Sequence, residues 1–76
     1  MELYLGSYLS WYVPHKLTRL VIHLDEPIAL IELVERLKLP PAEIAIAAVN
    51  GILVSLQDAR VSDEDQVELH PPNGGG

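Results

Sequence analysis

The 76-residue sequence predicts an α+β fold in which one amphipathic helix covers one face of a mixed five-stranded sheet. Three observations predict it. Leu3 and Leu5 alternate with Glu2 and Tyr4, and Leu20, Ile22 and Leu24 alternate with Val21 and His23, the period of half-buried strands. Leu30, Leu33, Val34 and Leu37 then recur at the i, i+3, i+4, i+7 spacing of a helix. Asn50-Gly51 sits between two apolar runs, Ile44 to Val49 and Ile52 to Val54, which is the strongest short hairpin signal a sequence carries.

The elements follow in order. Strands over 2–5 and 19–24 form a hairpin with a long, aromatic connection that holds Tyr8, Trp11 and Tyr12. Those aromatics are expected to complete the core or cover an edge, the commoner use of such residues in a small domain. Asp25-Glu26-Pro27 starts the helix: Asp25 offers a cap for free amides, and proline suits the first turn. Glu32 and Arg36 make an exposed i, i+4 pair. The helix ends near Lys38, because Pro40-Pro41 cannot continue it. Strands at 44–49 and 52–54 flank the Asn-Gly turn, Ser62-Asp63-Glu64-Asp65 makes a polar turn, and Gln66 to His70 is the last strand, with Val67 and Leu69 inward. The first and last strands pair in parallel at the sheet centre. Residues 1–70 form one domain, and 71–76 form an extended tail.

Composition narrows the function. Eleven acidic and five basic residues give a net charge of −6, which argues against nucleic acid as a partner, since phosphate binding needs lysine and arginine. A basic protein partner would be steered favourably, although the same charge also serves solubility. Met1-Glu2-Leu3-Tyr4 has neither a basic n-region nor an apolar run of signal length, and no apolar stretch is long enough to span a bilayer. A cytoplasmic protein without a membrane partner is expected, in keeping with the absence of cysteine. His15, His23 and His70 lack metal-ligand spacing, and no phosphate-cradling loop or nucleophile motif is present, so no bound metal or cofactor is expected.

The chain closes on Pro71-Pro72-Asn73-Gly74-Gly75-Gly76. A glycine run packs nothing and loses much freedom on ordering, but it can present an unshielded carboxylate to a narrow channel. Pro71-Pro72 is expected to stiffen the base of the tail and project the glycines from the body.

The element order, Ala48-Val49-Asn50-Gly51, the acidic turn from Ser62 through Leu69 and the Pro-Pro…Gly-Gly ending together resemble the ubiquitin-like β-grasp fold. More narrowly, they resemble the MoaD/ThiS-type small sulfur carriers: the small subunit of molybdopterin synthase and the thiamine-pathway sulfur carrier. The resemblance covers most of the chain and is weakest over 7–18. Glu64 stands where the family commonly has glycine. The Pro-Pro approach is closer to the molybdopterin type and the triple glycine to the thiamine type, so the pathway stays open.

The resemblance implies that an adenylating, ubiquitin-activating-type enzyme uses ATP to activate Gly76, with Gly75 as its flexible neighbour. Sulfur then replaces AMP to give a thiocarboxylate, which a synthase large subunit or other sulfur-acceptor enzyme consumes. With no cysteine, sulfur can reside on this chain only at that terminus. The chain is accordingly a carrier or accessory subunit and not a free-standing catalyst. For partner binding, the strand parity places Ile46, Ala48, Glu68 and His70 on the sheet face away from the helix, an apolar centre with a polar rim, and Pro72 and Gly74 lead to the reacting end. A register shift of one residue would bury Ile46 instead. Two other readings remain open: a protein modifier joined through Gly76 to lysines, and a β-grasp interaction module with no covalent chemistry.

Overall fold

Leu3, Leu5, Val67 and Leu69 are each no more than 1% exposed, and all four lie on one seam. They belong to β1 (Glu2–Leu5) and β7 (Gln66–His70), which run parallel in the register Leu3 opposite Val67 and Leu5 opposite Leu69. The computed structural model describes residues 1–72, and every other element is arranged about this seam. On one side, β2 (Arg19–Val21) pairs antiparallel with β1; on the other, β4 (Ile46–Val49) pairs antiparallel with β7 and carries β5 (Ile52–Val54) at the edge. The five-stranded order is β2-β1-β7-β4-β5, so the expected parallel centre is present.

Helix α1 (Leu30–Arg36) covers one face of this sheet with Leu30, Leu33 and Val34 buried. Glu32 and Arg36 face solvent and pair at 2.5 Å. The helix starts three residues later than Asp25-Glu26-Pro27 suggested, and Asp25 does not cap it. Residues Ile28–Ala29 instead form β3, paired with β6 (Arg60–Val61), a second small sheet that the sequence pattern did not reveal. The Leu30 amide donates to the Ala59 carbonyl at 2.9 Å, so tertiary backbone pairing does the work of a side-chain cap. Asp25 Oδ1 lies 2.9 Å from His23 Nε2.

The helix ends where expected, in a Schellman arrangement. The Leu39 amide donates to the Val34 carbonyl and the Lys38 amide to the Glu35 carbonyl, with Lys38 left-handed at φ 61° and Leu39 buried below. Proline blocks further helix, and Pro41–Glu43 makes a single 3-10 turn before β4.

The β1–β2 connection departs most from expectation. It folds into 3-10 turns over Ser7–Tyr12 and Pro14–Lys16. Leu9 and Val13 enter the core, whereas Trp11 is 71% and Tyr12 44% exposed. Trp11 and Tyr12 therefore stay outside the core, whereas Tyr8 packs against it. Side chains three apart eclipse on a 3-10 turn, so the short aliphatics fill the space beneath the connection and the large rings stay outside. Tyr8 is half-buried, and its hydroxyl donates to Glu43 Oε1 at 2.9 Å. That bond to a carboxylate, then burial, raises the tyrosine's pKa.

At the Asn-Gly turn both central residues have positive φ, 52° and 82°, as a type I′ hairpin requires. Asn50 also ties this turn to the acidic one. Its Nδ2 donates to Asp65 Oδ1 and its Oδ1 accepts from the Gln66 amide, both at 2.9 Å. Asp65 further accepts from the Ser62 amide at 2.8 Å. Glu64 is not among the positive-φ residues, so the turn forms without the glycine usual in similar sequences.

Two predictions follow from these turns. Lys38→Gly should stabilise the domain by about 0.5–1 kcal/mol, since glycine removes the Cβ cost of the left-handed region, net of its larger unfolded-state entropy. The urea midpoint reads this; an unchanged or lowered midpoint would show that Lys38 sits there without strain. The Asn50 bond and the Ser62 amide hold the Asp65 carboxyl below its ordinary pKa, and the Leu24 amide does the same for Asp63. A carboxyl whose pKa is lowered on folding stabilises above its unfolded value, about 3.9, and that stability is lost as pH falls through the folded value. Asp65→Asn should therefore flatten the decline of Tm below about pH 4 while lowering Tm at pH 7.

Candidate functional site

Strand parity divides the sheet into two surfaces. The inner residues of each strand are committed to the helix side, leaving Tyr4, Glu68, His70, Ile46, Ala48 and Leu53 on the other face. The register sets Ile46 opposite His70 and Ala48 opposite Glu68, and continues through Ala48 to Leu53 on β5 and through Glu68 to Tyr4 and Arg19. Ile46 is 47% and Leu53 74% exposed, while Ala48, flanked by the longer Glu68 and Leu53, is recessed.

The face therefore has an apolar side over β4 and β5 and a polar side over β1 and β2. A shallow cleft of about 490 Å3 runs along the polar side, lined by Glu2, Tyr4, Arg19, Gln66, Glu68 and His70. Arg19 stands over the Tyr4 ring, Cζ to centroid 5.5 Å, which leaves a cation and two carboxylates on one wall.

His70 is held firmly for a residue at a strand end. Its carbonyl accepts from the Ala45 amide at 2.9 Å, its ring is tilted against Tyr4 at 5.8 Å, and its Nε2 lies 3.6 Å from Glu68 Oε1. The other ring face rests on Gly6. A Cβ on Gly6 would overlap His70 Nδ1 and stand 3.0 Å from Cε1. Gly6 has φ −76° and ψ 152°, open to any residue, so space and not backbone conformation requires glycine here.

Beyond His70, the Pro71 side chain is fully buried and Pro72 is half-buried. Pro71 is thus packed with the body and does not stand as the projecting base of a tail. The polypeptide is anchored through residue 71, one position past the expected domain end. Gly75 and Gly76, to which the resemblance gives the chemistry, and Gly74, expected to bind the partner, lie outside the described residues.

Sequence reasoning placed Ile46, Ala48, Glu68 and His70 on one face but overlooked Leu53, Tyr4, Arg19 and Gly6. Leu53 was recoverable, since a two-residue Asn-Gly turn sets Ala48 opposite Leu53. The contact of Gly6 with His70 carries no sequence signal, because it joins residues 64 positions apart.

Among the described residues no cluster of His, Asp and Glu could hold a metal ion, and no helix is long and apolar enough to cross a membrane.

One helix on a mixed sheet, with first and last strands parallel at its centre and the chain leaving from the last strand, defines a ubiquitin-like β-grasp protein. The chain belongs to the ThiS family, whose model matches residues 11–76. Membership supports a sulfur-carrier role in general. No curated protein matches the chain.

The Gly6–His70 contact is open to test. Gly6→Ala should cost about 1–3 kcal/mol through overpacking. In a His70→Ala background, where the ring is gone, the same substitution should cost little. An equal cost in both backgrounds would show that the ring is not what excludes a side chain at Gly6.

Proposed function

We propose that the protein carries sulfur as a thiocarboxylate on Gly76. Membership of the ThiS family carries this reading, because the match extends through residue 76 and takes in Gly74-Gly75-Gly76. Two properties of the chain support it. It has no cysteine to hold a persulfide. Its last strand is the most deeply embedded in the sheet, so the residues leading to Gly76 start from a rigid point.

A carboxylate resists nucleophiles until its oxygen carries a better leaving group. In the proposed sequence, an activating enzyme supplies ATP, a Gly76 carboxylate oxygen attacks the α-phosphorus, and pyrophosphate leaves. A sulfur nucleophile then attacks the acyl-adenylate carbonyl and AMP departs with the bonding pair. Apart from Gly76, the chain's own residues take no part in these bond changes; the body binds the enzyme and the ending enters its site. The outer face, with Ile46 and Leu53 beside Glu68 and His70, is the docking surface in this proposal, and Pro72 and Gly74 follow the ending into the channel. A synthase or other acceptor enzyme would consume the product, in a cofactor pathway of the thiamine or molybdopterin type, and the setting would be the cytoplasm.

Intact-mass spectrometry after incubation with ATP, sulfide and the activating enzyme should show a gain of about 16 Da as sulfur replaces one terminal oxygen. Lysine-linked adducts in place of that gain would instead assign the chain to protein modification. No product with the cognate enzyme would leave a non-covalent interaction module. Ile46→Asp should reduce the yield without loss of folding, since Ile46 is half-exposed; a variant that folds and is thiocarboxylated normally would remove Ile46 from the docking surface.

A further inference from the structure

From Leu3 through Leu24 the chain contains no aspartate or glutamate, although eleven acidic residues are distributed over the rest. In that span lie Lys16 and Arg19, with His15 and His23. The formal charges within this span are thus only positive, Lys16 and Arg19, on a strongly acidic protein. Three large apolar side chains are also exposed in the connection between β1 and β2: Trp11 at 71%, Tyr12 at 44% and Leu17 at 47%.

The arrangement is built and not loose. Ser7, His15 and Lys16 all have positive φ, 49°, 60° and 52°, so among the described residues three of the five non-glycine residues in that region of backbone space fall in this one connection. Non-glycine residues hold that conformation only where the surroundings enforce it. Here Leu9 and Val13 pin the connection to the core, and the turns set the Lys16 ammonium 5.5 Å from the centre of the Trp11 ring. Tryptophan and tyrosine are among the residues enriched at the energetic centres of protein interfaces.

Position says which protein would meet it. The 3-10 turn begins directly after β1, at the end where β7 also finishes: the Gly6 amide donates to the Leu69 carbonyl and the Leu9 amide to the Gly6 carbonyl. At about 2 Å per residue, Trp11 lies roughly 10 Å along the turn from Gly6. The His70 ring rests on Gly6, and Pro72 follows two residues later. The indole and the exit of the chain toward Gly76 therefore share one end of the domain. A protein that receives that ending is brought against Trp11 by the same approach.

We infer that Trp11, Tyr12 and Leu17, framed by His15 and Lys16, form a second docking surface for the enzyme that activates Gly76. The complementary surface on that enzyme is an apolar pocket for the indole, rimmed by carboxylates. A membrane or nucleic acid is disfavoured, because the acidic remainder of the chain would be repelled by either. The inference rests on the functional reading above. It adds a contact apart from the sheet face, so that the body is gripped both on the face and beside the exit.

Trp11 is the sole tryptophan, so labelling with 5-fluorotryptophan gives a single 19F resonance at the centre of the surface. Adding the activating enzyme should shift or broaden that resonance. Trp11→Ala should raise KM for this chain in pyrophosphate exchange about tenfold while leaving kcat within about twofold, the signature of lost binding without lost chemistry. Lys16→Glu should raise KM less and reduce the weakening of binding by salt expected of the native chain. Both side chains are outside the core, and thermal melts should confirm that each variant folds.

Unchanged KM for both variants, or a 19F resonance indifferent to the enzyme while Gly76 is still adenylated, would overturn the assignment and leave the functional reading intact. Failure of the native chain to be adenylated would overturn that reading and the second surface with it. A resonance that responds to phosphatidylglycerol vesicles and not to the enzyme would move the surface to lipid and also overturn the inference.

Discussion

The parallel pairing of β1 with β7 is the constraint on which the rest of the molecule depends. A parallel pair cannot be closed by a tight turn, so everything between residues 5 and 66 is a crossover that must return to its starting edge. The seam is held by burial: Leu3, Leu5, Val67 and Leu69 each contribute about 1.5–3 kcal/mol when removed from water, against about 1 kcal/mol net for a single backbone hydrogen bond. That difference explains why the central strands tolerate polar residues at every second position. Glu2, Tyr4, Glu68 and His70 cost the seam nothing, because parity turns them to the opposite face.

The same parity separates stability from recognition. In a 76-residue chain one face of the sheet is needed for the core, and α1 with the β1–β2 connection covers it. Only the other face, the sheet edges and the ends of the strands remain for contact with partners. The Asn50–Asp65 bond belongs to the first group, although both residues lie near the surface. It fastens the β4–β5 hairpin to the turn that feeds β7, and so fixes the register that brings Ala48 opposite Glu68 and Ile46 opposite His70.

What the sequence made legible follows from the range of each signal. The alternation of Leu3 and Leu5, the helical stripe from Leu30 to Leu37 and the Asn-Gly pair are local patterns, and each produced its element. Asp25 was read as a cap on equally local grounds, but the Leu30 amide finds the Ala59 carbonyl, a partner 29 residues away that no local rule supplies. The pairing of Ile28 with Val61 is missing from the pattern for the same reason: two-residue strands have no period to detect. Of the two places expected for Trp11 and Tyr12, core or edge, the core is excluded, because 3-10 geometry turned the smaller Leu9 and Val13 inward. On the outer face, parity sufficed for Ile46, Ala48, Glu68 and His70. Gly6 escaped because its constraint is the ring of His70, not any conformation of its own.

The burial of Pro71 alters how an ending of this kind can act. A tail hinged at its base would sample many directions, and a partner would have to select one. Here the last buried strand, the Ala45–His70 backbone bond, the His70 ring on Gly6 and the buried Pro71 hold the chain in one direction until residue 71. The direction in which the chain leaves the domain is therefore set by the body up to that residue. A fixed exit also gives the surroundings of that exit a defined place relative to any enzyme that accepts the ending. Trp11 stands on the connection that starts at the same end of the sheet, and a rigid body can offer two contact points at a set spacing where a hinged one could not.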